Sequence, residues 1–392
     1  MPVVSTEIVA PDIYWVGAID WSVRMLPGYY SDEGTSYNAY LLMDEDITLI
    51  DTVQAQFGFE LLEKIKQITQ LDVVKYIIIN NAENDHSGAL PFLMTQLKNA
   101  TIVTNKICMD NIIHLYPSLK NYQFKIVNNN TQLKLNTHTI HFIPVPMLHW
   151  PSSMVCYCPE TRLLFSNDVF GQHIACSERF LDQIVLKDHI IQLMREYSAN
   201  LLGPFQVPLT IALQNLKQLK IDTILTGHGI SWRGDNLITA INEYTQFSQN
   251  KQLKKKLTVL FQSMSGVVNT AAQIIMQTSS HQVQFCDLNI TNLTKCALSA
   301  YNSEFLAIGS PNYYGQTTPL VESAIHYLRG LNLIKGRKVM LFGSFCWSDK
   351  AVAIMKEMVE NAGGTVVSEI SFKMGVNEIT QSALINELKK FV

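Results

Sequence analysis

Three side chains that commonly bind metal ions lie close together in the first quarter of the chain. They are Glu83, Asp85 and His86. An apolar run at 76–79 comes just before them and predicts a buried strand. Carboxylates at such close range raise each other's pKa unless a cation compensates their charge. The cluster therefore predicts a metal site at the end of a strand, at the mouth of a fold.

Three further residues of ligand type, His149, Asp168 and His228, each follow an apolar, strand-like run. A lone histidine at such a position is more often a packed or turn residue than a ligand. Packing does not readily explain the whole set, however, because carboxylates and imidazoles recur at one strand end after another. We therefore predict that one metal site collects Glu83, Asp85, His86, His149, Asp168 and His228.

Composition narrows the possible function classes. The chain has 392 residues, of which 47% are hydrophobic, and this length suggests about two or three domains. A net charge of −3 favours neither nucleic acid nor an anionic membrane as a partner. No apolar run is long enough for a transmembrane helix, and the first residues lack the pattern of a signal peptide. Seven scattered cysteines without a CxxC pair indicate a reducing compartment, so we expect a cytoplasmic protein.

The chain divides into two halves with different patterns, 1–250 and 256–392, joined by a basic, polar stretch that predicts a solvated linker. In the first half, short strands mix with turns and helices: strands at 39–43, 47–51, 100–104 and 139–144, and a helix at 58–69. In the second half, strands alternate strictly with helices: strands at 257–261, 305–309, 339–343 and 365–368, and helices at 268–276, 319–331, 350–362 and 382–391. This alternation predicts a doubly wound parallel sheet.

Three polar loops follow strands of the second half, at 262–269, 309–315 and 344–348. Ligands of open parallel sheets bind at the carboxyl ends of the strands, and a helix N-terminus suits a phosphate. Tyr313 and Trp347 could flank a planar ring, although core packing is the alternative. The candidate cofactor-binding residues are Ser263, Met264, Ser265, Gly266, Val267, Val268, Pro311, Asn312, Tyr313, Gly315, Ser344, Phe345, Cys346 and Trp347.

These motifs resemble known families. Asp51 after a strand, the Glu83, Asp85 and His86 cluster, and the later ligand residues resemble the metallo-β-lactamase fold. More narrowly, the segments 83–88, 148–151 and 165–168, together with the three loops, resemble flavodiiron proteins. The resemblance implies an α/β chain with an N-terminal metallo-β-lactamase-like αββα sandwich. It also implies a C-terminal flavodoxin-like doubly wound parallel sheet that binds FMN.

The same resemblance implies two iron ions bridged by Asp168. One iron would take Glu83 and His149 with residue 81, and the other Asp85, His228 and His86. The implied activity is reduction of O2 to water, of NO to N2O, or of both. A separate protein, rubredoxin or a similar carrier, would donate the electrons. A head-to-tail homodimer, or a dimer of dimers, would bring the flavin of one subunit to the irons of the other.

Asn81 departs from this pattern, because a histidine is expected at its position. The asparagine side chain is roughly 2 Å shorter and offers a neutral amide oxygen. We expect weak or water-mediated coordination there and a more exchangeable iron at Glu83 and His149. Two alternatives stay open. One is a flavoprotein electron carrier whose metal site has degenerated, and the other is a hydrolase with two zinc ions.

Overall fold

The computed structural model describes residues 6–251 and 253–391. Within them the chain forms two compact units. The first unit comprises 6–26, Ser31–Tyr197 and Phe205–Ser248. The second comprises Pro27–Tyr30, Ser198–Pro204 and the described part of 249–391.

The strands before the second half of the chain are short. They are β1 (Glu7–Ala10), β2 (Ile13–Trp15), β3 (Ala18–Asp20), β4 (Met25–Leu26), β5 (Tyr29–Tyr30), β6 (Thr35–Tyr37), β7 (Tyr40–Leu42), β8 (Ile47–Ile50), β9 (Val74–Ile78), β10 (Thr101–Thr104), β11 (Phe124–Ile126), β12 (Gln132–Lys134), β13 (Thr139–Pro144), β14 (Met154–Cys158), β15 (Leu163–Asn167), β16 (Thr223–Thr226) and β17 (Trp232–Arg233). The helices are α1 (Gly58–Ile68), α2 (Asn84–Ser87), α3 (Leu90–Gln96), α4 (Lys106–Leu115), α5 (Lys187–Tyr197), α6 (Gln206–Leu216) and α7 (Asp235–Ser248).

Two large sheets form the body of the first unit. One has seven strands in the order β1-β2-β7-β8-β9-β10-β11, and β8, β9, β10 and β11 run parallel within it. The other has six strands in the order β12-β13-β14-β15-β16-β17, and only β15 and β16 are parallel neighbours. The predicted strands at 39–43, 47–51, 100–104 and 139–144 all have counterparts here, to within a residue at either end.

Alternating apolar residues explain how the layers pack. On the seven-stranded sheet, Leu49 and Ile77 pack against helices α1, α3 and α4, whereas their neighbours Ile50 and Ile78 pack against the six-stranded sheet. Successive side chains of a strand point to opposite faces, so one apolar run serves two cores. Helices α6 and α7 lie at the six-stranded sheet. The result is the αββα sandwich that the resemblance implied.

The second unit contains a five-stranded parallel sheet. Its elements are β18 (Lys254–Phe261), α8 (Val267–Thr278), β19 (Gln282–Asp287), α9 (Leu293–Tyr301), β20 (Ser303–Pro311), α10 (Pro319–Gly330), β21 (Lys338–Phe345), α11 (Ala351–Asn361), β22 (Thr365–Lys373) and α12 (Glu378–Phe391). The strand order is β19-β18-β20-β21-β22, and every neighbouring pair is parallel. This is the flavodoxin-like order, with a switch point between β18 and β20.

Both faces of this sheet are covered by helices, as the doubly wound prediction requires. On one face, Val259 and Phe342 pack against α8 and α12. On the other, the alternate residues Leu260 and Leu341 are buried where α9, α10 and α11 lie. Strands buried on both sides are apolar along their length, which is why β18 and β21 were recognisable.

Two features of the second unit differ from the sequence prediction. The stretch predicted as a solvated linker is partly strand, because β18 begins at Lys254 and its backbone pairs with β19 and β20. The lysine side chains at 254 and 255 are exposed, but exposure of a side chain does not prevent its backbone from joining a ladder. The prediction also omitted β19 and α9.

Across the described residues, 6–251 and 253–391, no helix is both long and apolar enough to cross a membrane.

Candidate functional site

The cluster Glu83, Asp85 and His86 lies just beyond the end of β9, as the sequence predicted. Asp85 and His86 belong to the short helix α2, and Glu83 stands immediately before it. The backbone N–H and the hydroxyl of Thr52 both donate to the His86 carbonyl oxygen, at 2.9 and 2.7 Å. These two bonds hold the short helix against the end of the neighbouring strand β8.

His149, Asp168 and His228 lie beyond the ends of strands of the other sheet. His149 follows β13, Asp168 follows β15 directly, and His228 follows β16. Asp168 and His228 are buried, and the His149 side chain is 18% exposed. The ligand-type residues therefore come from both sheets, three from each.

The structure brings the six side chains into two groups. One contains Asp85, His86 and His228, and the other contains Glu83, His149 and Asp168, with donor atoms in each group within 4.8 Å of one another. Groups of this size and composition fit a metal ion. The six residues predicted from the sequence are therefore neighbours in space.

Asp168 faces both groups, with one carboxylate oxygen towards each. Its Oδ1 lies 2.9 Å from His86 Nε2 and 3.5 Å from His228 Nε2. Its Oδ2 lies 4.0 Å from His149 Nε2, which is itself 3.0 Å from Glu83 Oε2. A carboxylate in this position can bridge two metal ions.

The charges of the site stabilise one another strongly. Burial opposes ionisation of Asp168, but the charge of His86 and hydrogen bonds with His228 and His86 hold its pKa well below the usual value. Burial likewise opposes the ionisation of Asp85, yet His86 and His228 lower its pKa to about 2. The pKa of His228 is raised to about 9, because hydrogen bonds with Asp168 and Asp85 outweigh its burial. In the absence of a cation the histidines therefore hold protons that a metal ion would displace.

Asp51 does not belong to either ligand group, but its side chain hydrogen bonds to residues that follow or end strands of both sheets. Its Oδ1 accepts a hydrogen bond from the backbone N–H of Asn80 at 2.8 Å, and its Oδ2 accepts from the Asn80 side chain at 2.9 Å. Asn167, next to Asp168, donates to Asp51 Oδ2 at 3.3 Å and lies 3.2 Å from His86 Nδ1. Asp51 and Asn167 have φ values of 55° and 49°, a conformation that Asp and Asn tolerate better than other non-glycine residues.

The second ring nitrogen of His228 is also fixed. Nδ1 donates to the Ser36 carbonyl oxygen at 2.8 Å, which leaves Nε2 facing Asp85 and Asp168. Tyr197 donates from its hydroxyl to Asp168 Oδ1 at 3.4 Å. The sequence interpretation did not identify Ser36 or Tyr197, since neither carries a motif and both approach the site only through the tertiary fold.

Asn81 is fully buried inside the site and hydrogen bonds on both sides. Its Nδ2 donates to Asp168 Oδ2 at 3.0 Å, and its Oδ1 accepts from the backbone N–H of Glu83 at 3.1 Å.

In the second unit, the three predicted loops meet at a cavity of about 310 Å³. Nine of the predicted residues line it, namely Met264, Ser265, Val267, Pro311, Asn312, Ser344, Phe345, Cys346 and Trp347. Met374 lines it as well and was not predicted from the sequence. It follows β22, so the rule that ligands lie at the carboxyl ends of parallel strands would have identified it.

Five predicted residues do not line this cavity: Ser263, Gly266, Val268, Tyr313 and Gly315. The Val268 side chain is buried in the hydrophobic core, so only its backbone can reach a ligand, and its place in the cofactor site stays a prediction. Tyr313 is 37% exposed and stacks edge-on against Tyr314, with ring centroids 4.7 Å apart.

Each of the two candidate sites contains a buried polar side-chain atom without a hydrogen-bond partner. Asp85 Oδ1 is buried without a hydrogen-bond partner and lies 3.6 Å from His86 Nε2, so it can bind a cation. The Ser263 hydroxyl, in the loop before α8, is buried and unpartnered too. Gly266, the residue before α8, has a φ of 81°, a left-handed conformation that glycine adopts readily. The donor sets thus fit metal ions in the first unit and a phosphate-bearing ligand in the second.

By fold, the chain combines a metallo-β-lactamase-like unit with a flavodoxin-like unit. The model of a family described as "ODP family beta lactamase" matches residues 35–229. A nitric oxide reductase of Moorella thermoacetica is 33% identical over 364 residues, covering 91% of this chain and 90% of the relative. A rubredoxin-oxygen oxidoreductase of Megalodesulfovibrio gigas is also 33% identical over 364 residues, covering 89% and 87%.

Among solved structures, the flavodiiron protein of Giardia intestinalis superposes with a TM-score of 0.96 at 37% identity. The match covers 99% of this chain and 96% of that one. The chain therefore belongs to the flavodiiron protein family, a family of oxidoreductases, which confirms the resemblance and the fold class predicted from the sequence.

Proposed function

We propose that this chain is an oxidoreductase that reduces O2 to water, NO to N2O, or both, with FMN and two iron ions as cofactors. The observation that carries the proposal is Asp168, whose two carboxylate oxygens face two separate groups of metal-ligand side chains. The names of the relatives, a nitric oxide reductase and a rubredoxin-oxygen oxidoreductase, support both gases as substrates.

In the first unit, we propose that Glu83 and His149 hold one iron, that Asp85, His86 and His228 hold the other, and that Asp168 bridges them. Mixed carboxylate and imidazole sets suit redox-active iron. When bound, FMN and iron supply the one-electron steps of gas reduction.

The protein side chains provide orientation and exclude solvent. The Ser36 carbonyl oxygen keeps the His228 proton on Nδ1, which fixes the direction of Nε2. Asp51 holds Asn80 and Asn167 against the two strand ends that carry the ligands. His149 is the most exposed of the histidines in the two groups, so we propose that gas enters on its side.

In the second unit, we propose that FMN occupies the cavity among the three loops. Its phosphate would be bound by Ser263, Ser265 and the backbone at the start of α8, where an unpartnered hydroxyl and the helix N-terminus favour an anion. Trp347, Tyr313 and Met264 would border the ring: Trp347 and Met264 line the cavity, and Tyr313 directly follows the lining residue Asn312 in the chain.

We propose a separate electron donor, rubredoxin or a similar carrier, in line with the name of the Megalodesulfovibrio relative. We also propose a head-to-tail homodimer. Its support is the exposure of large aromatic side chains in two of the three predicted loops, where Trp347 and Tyr314 are each 81% exposed. Sedimentation analysis of the purified protein tests the dimer, and a monomer at micromolar concentration would contradict it.

The function is tested by measuring iron and FMN content, reducing the protein without oxygen, and then supplying O2 or NO. We expect the reduced protein to consume at least one gas and to reoxidise its flavin. If the protein binds both cofactors fully yet consumes neither gas, the proposal is wrong.

One observation favours a second candidate function. Asn81 stands where the family pattern has a histidine, and both its polar atoms are already hydrogen bonded to protein groups. A chain with FMN and an incomplete metal site would act as an electron carrier. That candidate predicts flavin that cycles between redox states with a partner protein while gas consumption is absent.

A further inference from the structure

The orientation of the Asn81 amide follows from its partners. The backbone N–H of Glu83 can only donate, so the Asn81 atom 3.1 Å away from it must be the oxygen. The nitrogen therefore faces Asp168 Oδ2, 3.0 Å away, where it donates a hydrogen bond. In the reversed orientation the amide nitrogen would face the Glu83 N–H, another donor, and the amide oxygen would face the Asp168 carboxylate, another acceptor.

This orientation engages both polar atoms of Asn81 with protein groups. An amide nitrogen carries two hydrogens and no available lone pair, and the oxygen uses one of its two lone pairs for the hydrogen bond from the Glu83 backbone. The residue is fully buried, so the surrounding atoms restrict its rotation. The two groups of ligands are thus unequal in number when Asp168 is shared between them.

The Asp85 position has Asp85, His86 and His228 together with Asp168 Oδ1. The Glu83 position has Glu83 and His149 together with Asp168 Oδ2, and that oxygen also accepts the Asn81 hydrogen bond. The Asp85 position therefore offers four donor residues and the Glu83 position three, with Asp168 counted at both. Fewer donors at the Glu83 position lower its affinity for a metal ion.

We infer that Asn81 is a positioning residue rather than a metal ligand. It orients the Asp168 carboxylate and the Glu83 backbone, and it makes the two metal positions of this chain unequal. The Asp85 position binds its ion tightly, and the Glu83 position binds its ion weakly and exchanges it. The inference rests on the proposed dinuclear site.

Cobalt titration of the metal-free full-length protein tests the inference without any gas turnover. We expect two Co²⁺ ions to bind with affinities that differ at least about tenfold. Asn81→His adds a ligand at the weaker position and raises that affinity by about 10- to 100-fold. The visible absorption of the second cobalt ion should fall in this variant, because its coordination number rises.

Asn84→His is the matched control. It also places a new histidine in the same segment, but on an exposed position whose side chain contacts Tyr116. We expect it to leave both cobalt affinities and the absorption spectrum unchanged. Equal affinities of the two ions in the unaltered protein, or no change on Asn81→His, would overturn the inference.

Asn81→Ala provides a second test of the inference if the histidine variant does not fold. It removes the hydrogen bond to Asp168 Oδ2 and adds no bulk. We expect it to weaken the second ion by about tenfold and to leave the first within about twofold. Equal weakening of both ions would contradict the assignment. A protein that binds no cobalt at all would overturn the proposed function itself, and the inference with it.

Discussion

The candidate metal ligands of the first unit are buried and contact one another, whereas the candidate flavin site of the second unit is lined by open loops. Asp85, Asp168 and His228 are each at most 5% exposed. Around the flavin cavity, Met264, Met374 and Trp347 are 62%, 64% and 81% exposed. A charged metal site needs its donors held in place, because buried charges are stable only when paired. A planar aromatic ligand can instead cover apolar side chains that the free protein leaves in water.

The largest effect is expected from Asp168→Asn, which removes the charge that both ligand groups share. We expect the affinity for each metal ion to fall by about 10- to 100-fold, and gas consumption to fall with it by at least about 100-fold. FMN binding should be unchanged. Metal titration and flavin absorbance of one sample measure both quantities. Asp222→Asn, whose side chain is 64% exposed, is the control. Parallel loss of FMN would show that the two sites are not independent.

The next largest effect concerns the candidate flavin site of the second unit. Trp347→Ala removes an exposed indole beside the cavity, and we expect the dissociation constant for FMN to rise about 30-fold, in line with about 2 kcal/mol for stacking on an aromatic side chain. Metal content should stay constant. Trp21→Ala removes a similarly exposed indole from the first unit, where Trp21 is 60% exposed, and should leave FMN binding as it was. Fluorescence titration with FMN decides between the outcomes.

A smaller effect is expected from Ser263→Ala, which removes the buried hydroxyl that has no partner. If that hydroxyl binds the phosphate, the variant should weaken FMN binding about five- to tenfold, which corresponds to about 1 kcal/mol, the typical net contribution of one hydrogen bond. Riboflavin has the same ring but no phosphate, so its affinity should not change. Equal loss for both flavins would place the serine elsewhere than at the phosphate.

The smallest effect concerns the stability of the first unit. Asp44 Oδ2 accepts hydrogen bonds from His138 Nδ1 at 2.8 Å and from the His138 backbone N–H at 2.9 Å. Burial opposes its ionisation, but these and further hydrogen bonds lower the pKa of Asp44 below its usual value. Asp44→Asn keeps one acceptor oxygen, so we expect a loss of about 1 kcal/mol at pH 7.

The sign of the pH dependence follows from linkage. The carboxylate contributes stability above the pKa of the unfolded chain, about 3.9, and the contribution disappears as the pH falls through the lower folded value. The difference between Asp44→Asn and the unaltered protein should therefore be constant down to about pH 4 and decline progressively below it. Urea unfolding at pH 7, 4, 3 and 2 measures this trend, with Asp110→Asn, a 57% exposed site, as the control. A difference that stays constant from pH 4 to pH 2 would exclude this role of the Asp44 charge.

Residues at strand ends were the most predictable part of both sites. Glu83, Asp168 and His228 could be assigned because each ligand type followed a recognisable apolar strand. The loops after β18 and β21 were predictable for the same reason. The sequence could not show which oxygen of Asp168 faces which ligand group, because that depends on how two separate sheets pack.

The missed features share a physical cause. The hydrogen bonds of Asn81 depend on the turn of the backbone at Glu83, which no side-chain pattern encodes. Ser36 contributes only a carbonyl oxygen, which every residue has. The start of β18 at Lys254 could not be recognised from the sequence. There the strand extends beyond the hydrophobic core, so its backbone still pairs with neighbouring strands while its side chains are polar and exposed.

Each ligand group draws on both sheets of the first unit, and this has a consequence for folding. Asp85 and His86 follow β9, whereas their partner His228 follows β16 in the other sheet. A bound ion would therefore fasten the sandwich across its two layers. An ion that binds only the folded form stabilises it by about 2.7 kcal/mol when its free concentration is 100 times the dissociation constant. The melting temperature of this unit should thus depend on the iron concentration around it. Iron depletion would lower the stability of the fold as well as the activity of the enzyme.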